Sequence, residues 1–525
     1  MTRPLLFHGG RVHVGDGSSS EALLARDGRV AALGAARDLR RDAPDAEMID
    51  LSGGLMTPGW IDAHVHFVWW ALQMTQLDLR DTATVDDALE RIREHAATLS
   101  PDVWIEGGRF DKNVWGRWPT AAELDRVTGG RPAALRSRDG HSRWLNSAAL
   151  ERARITRATS APDGGSILRD PTGEPTGILQ ENANGLVDAV VPPPSDDQML
   201  EAARRGQAEA WKRGVVGFEN LDAFRDRFPL TAFERLAGRG ELAMRAHVGI
   251  PRAHLDDAIA RGLRTGAGDE WLRIGHLKIF TDGALGSQTA ALEDPYIGSD
   301  DRGILTVEPD VLAAVVARAA AHGIAVAIHA IGDRAVRVAL DAIAPTRATA
   351  PSLRQKIEHV QLVRREDLGR FAALGIIASM QPIHATSDRD LADRYWGPER
   401  TPRAYPWRTL RASGAVLAFG SDAPVEPIDP LLGIHAAVER RRPADADAWT
   451  PAERLTLDEA LAGYAKGAAY ALGRERDLGT LAVGMRCDAT IVDRDLARLA
   501  GPDLLTAHVR GTVTAGVVRY ADGLR

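Results

Sequence analysis

The chain has 525 residues, 44% hydrophobic and 26% charged, with a formal net charge of -7. That length exceeds one ordinary core, and an acidic balance without a dense Lys/Arg block argues against nucleic acid and against an anionic membrane surface as partners. One cysteine, Cys487, rules out an intramolecular disulfide and a multi-thiolate zinc site, and fits a reducing cytoplasm.

The opening stretch, MTRPLLFHGGRVHVGDG, lacks the apolar core of a signal peptide. Residues 1–57 read as short strands joined by glycine turns, with Asp27-Gly28 marking a hairpin. Residues 475–525 read the same way. The two ends are expected to pair into one small β-sandwich domain, because chain termini often lie close together. Between them, residues 58–474 alternate strand and helix. The predicted strands are 56–66, 215–220, 244–249, 274–281, 325–329, 356–359, 376–380 and 416–421, with helical patterns such as 196–214 and 308–323 between them. Eight strands alternating with helices predict an α/β fold, a (β/α)8 TIM-like barrel. The gap between the first two strands is far too long for one helix, so residues 78–194 are expected to form an insertion ending at the triple proline 192–194. The longest apolar stretch, 311–331, is broken by Arg318, His322 and His329 and reads as helix plus strand, not as a membrane span.

The first barrel strand carries PGWIDAHVHF. In a strand, residues i and i+2 face the same way, so His64 and His66 can chelate one divalent metal. On its own the pair is equally compatible with two inert buried imidazoles. The other strand ends decide the matter: Lys278 on the fourth, His329 on the fifth, His359 on the sixth and Asp422 after the eighth. The C-terminal strand ends of a parallel barrel open on one face, where active sites are built. Six such side chains at that face predict a metal site.

PGWIDAHVHF, LKIFTDGALGS, IHAIGDRA, IEHVQ, ASMQPIH and FGSDAPV, in that order, resemble the amidohydrolase superfamily, and within it the amidohydrolase-3 branch that includes N-substituted formamide deformylase. The resemblance covers most of the chain. It implies two divalent metal ions, zinc by expectation, with His64, His66 and Asp422 on one and His329 and His359 on the other. Lys278 matches the position where a lysine carboxylated on its amine bridges both ions, since a carbamate is anionic and offers two oxygens. Its simpler role is a salt-bridging lysine beside one metal.

The expected reaction is hydrolysis of a carbon–nitrogen bond, in an amide or N-substituted formamide, by metal-activated hydroxide. Asp422 would be the general base that passes a proton to the departing amine. His384, just after the seventh strand, would bind the substrate oxygen or stabilise an oxyanion. By resemblance Asp388 belongs with it, and His141, Asn146 and Glu181 in the insertion shape the pocket. Glu219 and Asn220 stand at the second strand end where relatives often carry His or Asp, which leaves a contact there open. Trp69, Trp70, Trp115, Trp118, Trp144 and Trp396 fall on loops or in the insertion. They suggest an aromatic-walled pocket and an apolar substituent on a small-molecule substrate. A homodimer is implied by resemblance alone. A deaminase or a carbamate or ester hydrolase would use the same scaffold, and a non-catalytic binding barrel is the alternative outside the enzymes.

Overall fold

A computed structural model describes residues 3–100, 103–222 and 228–524. Its centre is an eight-stranded parallel sheet: β1 (Trp60–Val65), β2 (Val215–Asn220), β3 (Arg245–Pro251), β4 (Leu272–Phe280), β5 (Val326–Ala330), β6 (Lys356–His359), β7 (Ile377–Met380) and β8 (Leu417–Phe419). Neighbours in the sheet are neighbours in sequence from β1 to β8. Among the described residues no ladder joins β8 to β1, but hydrogen bonds just beyond the strands stitch them. The Asp422 amide donates to the His64 carbonyl at 2.8 Å, the His66 amide to Ala423 at 2.9 Å, and the Ser421 amide to Asp62 Oδ1 at 3.0 Å. The sheet is thus a nearly closed TIM-like barrel.

The predicted strand over 56–66 is two strands. Leu55–Pro58 leaves the barrel and pairs antiparallel with Ala489–Val492 from the other end of the chain. Gly59 makes the pivot: a Cβ there would meet Val216 Cγ2 at 2.5 Å, so only glycine lets the strand pass. At the other end β1 stops at Val65, and His66 stands outside it, ahead of the helix Phe67–Gln73.

The chain ends supply a six-stranded sheet that mixes Arg11–His13, Ser19–Ser20 and Leu55–Pro58 with Ala489–Val492, Val509–Thr514 and Val517–Ala521. A four-stranded sheet of N-terminal strands lies against it; Phe7, Leu23, Met56, Cys487, Ile491 and Val513 share one buried cluster. Asp27 (φ 50°) and Gly28 (φ 76°) turn the expected hairpin between Ala22–Arg26 and Arg29–Gly34. After β1 comes a separate six-stranded sheet, from Leu77–Asp78 to Pro175–Glu181, with its own core around Ile92, Phe110, Leu135 and Trp144. Among the described residues no helix is long and apolar enough to cross a membrane.

The floor of the barrel is filled with paired charge. Lys356 Nζ lies 2.7 Å from Glu219 Oε2 and 2.8 Å from Glu358 Oε1, and donates to the Ala63 carbonyl at 2.8 Å. His276 Nδ1 meets the other oxygen of Glu219 at 2.7 Å, and His276 Nε2 lies 2.9 Å from the Arg354 carbonyl. Burial alone would raise both carboxyls. The Lys356 ammonium and the adjacent imidazoles overcome it and hold them below the usual carboxylate range.

Candidate metal centre and substrate cavity

The strand-end residues converge above this floor on Asp422. His64 Nε2 and His66 Nε2 both lie 3.2 Å from Asp422 Oδ1. His384 Nε2 lies 3.7 Å from Oδ2. Two groups, His64–His66–Asp422 and His359–His384–Asp422, each have their ligand atoms within 4.8 Å of one another. The first is the expected trio. The second joins His384 to His359; it does not displace the expected pair, because His329 also stands beside His359. The backbone explains this. His359 has φ 73°, which turns its ring in beside His64 although the preceding Glu358 also faces inward. The helix Pro382–Ser387 starts two residues after β7 and carries His384 over the mouth. His329 remains adjacent, its ring 4.5 Å from that of His359, but its Nε2 is 3.1 Å from the Gly283 carbonyl and 3.4 Å from Asp282 Oδ1.

The buried polar atoms test whether this donor set fits a metal. Among the described residues, His64 Nε2, His384 Nε2, Asp422 Oδ1 and Lys278 Nζ have no hydrogen-bond partner. Buried polar groups are rarely left so, and imidazoles around a carboxylate are the donors a divalent ion such as zinc takes. The protonation states agree. Burial drives His329 and His359 well below the ordinary imidazole range, keeping them neutral. Burial raises Asp422, but His64 and His66 outweigh it and hold the carboxyl well below its usual range. Burial lowers Lys278 to about 8; its Nζ sits 4.6 Å over the Phe280 ring. The residues present therefore fit a metal centre.

Several residues that complete the site carry no strong sequence signal. Glu358 Oε2 accepts from His64 Nδ1 at 2.7 Å, with both side chains fully buried, which leaves His64 Nε2 free to face Asp422. Gln381 Oε1 lies 2.8 Å from His359 Nδ1 and fixes that ring in the same sense. Asp222 Oδ1 lies 3.5 Å from His66 Nδ1, while its Oδ2 accepts from the Val68 amide at 3.0 Å. Gln361 Nε2 lies 3.2 Å from His384 Nδ1 and holds that ring at the cavity. Glu358, beside His359 in IEHVQ, was the one most open to detection.

The mouth opens into a cavity of about 680 Å³. Trp69, Phe110, Trp118 and Phe280 give it an aromatic wall; His141, Glu181 and Asp388 also line it. His141 Nδ1 is 2.8 Å from Glu181 Oε2, and although burial disfavours the imidazolium, the carboxylate pushes it up to about 9. Burial raises Asp388 to about 6, and Tyr405 donates to it at 2.9 Å.

Two expected pocket residues lie elsewhere. Asn146 caps the helix Ser147–Arg152, accepting from Ala149 N at 3.0 Å and Ala133 N at 2.9 Å and donating to the Arg131 carbonyl at 2.7 Å. Its amide is consumed in holding the insertion together. Trp115 stacks on Phe110 at 5.3 Å and donates to the Thr82 carbonyl at 3.1 Å, half-buried against the insertion's own core. Trp144 and Trp396 are likewise core residues. At the second strand end, Asn220 accepts from the Phe67 amide at 2.8 Å and Glu219 belongs to the floor.

This fold and site define a barrel with a histidine–aspartate metal centre at its mouth, and comparison with known proteins extends that. A family model described as "Amidohydrolase family" matches residues 47–520, and the chain belongs to the amidohydrolase-3 branch of that family. It is 32% identical to YtcJ of Bacillus subtilis over 98% of this chain and 99% of the relative. It is 29% identical to the N-substituted formamide deformylase of Arthrobacter pascens, over 96% of this chain and 95% of that one. Among solved structures it resembles an uncharacterized metal-dependent hydrolase from Pyrococcus horikoshii OT3, at 26% identity and a TM-score of 0.77, over 94% of this chain and 98% of that chain.

Proposed function

We propose that this protein is a metal-dependent hydrolase of a carbon–nitrogen bond in a small amide or N-substituted formamide. The observation that carries the reading is the set of unpartnered buried donors around Asp422. His64, His66 and Asp422 would hold one divalent ion and His329 and His359 a second, with Lys278, carboxylated on its amine, between them. When bound, such ions lower the pKa of water from 15.7 to about 7 and polarise a carbonyl.

The chain's own residues supply the rest. Asp422 Oδ2, the oxygen not shared by His64 and His66, takes the proton from the attacking water as the new C–O bond forms. It then returns that proton to the nitrogen as the C–N bond breaks, so that the amine leaves neutral. His384 Nε2 donates to the substrate oxygen as negative charge develops. The aromatic wall excludes water and takes the substituent on nitrogen or on the acyl carbon, while His141 and Asp388 orient polar parts of the substrate.

The test is a panel of N-formyl, N-acyl and cyclic amides on zinc- or manganese-loaded protein, with Asp422→Asn beside the native enzyme. The expected outcome is about two ions per chain and turnover of at least one class, with kcat reduced about 100- to 10,000-fold in the variant. Metal-loaded protein that cleaves none of the panel, or a variant as active as the native chain, would overturn the reading.

A further inference from the structure

The cavity is lined by three lysine and arginine side chains, Lys112, Arg136 and Arg138. Arg138 Nη2 lies 2.8 Å from Glu426 Oε1, and Arg136 Nη2 lies 3.7 Å from Asp188 Oδ2. Lys112 is different. Its Nζ donates to Gln288 Oε1 at 3.3 Å, and among the described residues no carboxylate stands at ion-pair distance from it. Asp111 and Asp139 attract the ammonium from beyond ion-pair distance, and each is held by its own loop: Asp111 with the Asn113 amide at 2.8 Å, and Asp139 with the His141 amide at 3.0 Å.

The ammonium is also held in place. Lys112 opens the short helix Lys112–Trp115, which Tyr395 anchors from the barrel side by donating to Asn113 Oδ1 at 3.0 Å. Its Nζ lies 5.1 Å from the centre of the Trp118 ring and 5.8 Å from that of Tyr395. Gln288, its amide partner, has φ 60°, a conformation that costs a non-glycine residue free energy and persists where surroundings impose it. A cation set between aromatic faces, oriented by an uncharged amide and without a direct ion pair among the described residues, beside an apolar wall, is arranged to receive an anion.

We propose that Lys112 is a specificity-determining residue that binds an anionic group, most simply a carboxylate, on the arm of the substrate that lies along Trp118 and Phe110. Resting on the amide-hydrolase reading, this names the substrate class: an amide or formamide with an aromatic or similarly apolar arm that ends in a carboxylate. Neither half is sufficient alone. The aromatic wall gives area without direction, and the ammonium gives direction without area.

Matched pairs of probes test it, N-formylaniline against its para-carboxylate and the corresponding N-acetyl pair, on metal-loaded native protein, Lys112→Met and Lys112→Arg. A charge-assisted hydrogen bond corresponds to a preference of about 10- to 100-fold in kcat/KM for the carboxylated member, carried mainly by KM. That preference should collapse in Lys112→Met, persist largely in Lys112→Arg, and shrink with added salt. Native protein that treats the two members of each pair alike, or a Lys112→Met variant that keeps the native ratio, overturns the proposal. Calorimetric titration with 4-aminobenzoate, a product of the carboxylated probe, separates the two readings. If no amide is cleaved but 4-aminobenzoate binds the native chain and binds Lys112→Met at least tenfold more weakly, the Lys112 assignment stands and the hydrolase reading falls. If amides are cleaved and 4-aminobenzoate binds both forms equally, the reverse holds.

Discussion

The floor and the mouth of the barrel use the same residue types to opposite ends. At the floor, Glu219, Glu358, Lys356 and His276 are fully buried, and each charge has an opposite partner within 2.8 Å. At the mouth, His64, His384, Asp422 and Lys278 are also buried, yet His64 and His384 come no nearer than 3.2 Å and 3.7 Å to Asp422, and Lys278 Nζ has no hydrogen-bond partner among the described residues. Burying an unpaired polar group costs of order 1–3 kcal/mol, more when charged, so the floor is built for self-sufficiency and the mouth for something it does not itself contain. Glu358 joins the two, one oxygen on Lys356 and the other on His64. Paired charge below thereby fixes the orientation of an imidazole above.

The sharpest way to break this comparison is at the mouth. His64→Ala should abolish metal binding at its own trio and reduce turnover to background. In metal-free protein it should cost only about 1–2 kcal/mol, because Glu358 keeps Lys356. Native protein should instead gain about 2.7 kcal/mol of unfolding free energy at a metal concentration 100 times Kd, and the variant should lose most of that gain. Paired denaturation curves with and without zinc, alongside metal analysis, measure both. A variant that retains full metal-induced stabilisation would remove His64 from the centre.

At the floor the expectation is reversed. Lys356→Met leaves Glu219 and Glu358 buried without their cation, which should destabilise the protein by about 3–5 kcal/mol whether or not metal is present. Equal losses in both urea titrations would confirm that the floor is structural. A loss confined to the metal-loaded form would make Lys356 part of the centre after all.

The same contrast explains what was legible in the sequence. The barrel strands could be read because their apolar runs recur between amphipathic helices, and side chains at C-terminal strand ends must share one face. His64, His66, His359, His384 and Asp422 follow from that rule. The residues that complete the site do not. Asp222 reaches His66 through a loop, and Glu358 and His359 both face inward only because φ 73° at His359 interrupts the alternation of the strand. Gly59 hides a second boundary: a continuously buried run from Leu55 to Val65 is shared between two sheets, which periodicity cannot divide. In the insertion the misreading ran the other way. Trp115 and Asn146 have the chemistry of pocket residues, but a tryptophan packs wherever its area is best buried and an asparagine caps wherever amides are exposed.

Asn146 therefore gives the mildest test, in a region that is neither floor nor mouth. Asn146→Ala removes the cap of Ser147–Arg152 and leaves the Ala133 amide without its acceptor, a cost of about 1–3 kcal/mol by either route. The sheet it braces also carries His141 and the helix bearing Lys112, so only a loss of position there, and no lost contact, could reach the substrate. Thermal unfolding should shift downward while KM for the best amide in the panel stays within about twofold of native at a temperature where the variant is folded. A large rise in KM without loss of stability would return Asn146 to the pocket and show that the insertion's own core and the cavity wall are less separate than their hydrogen bonds indicate.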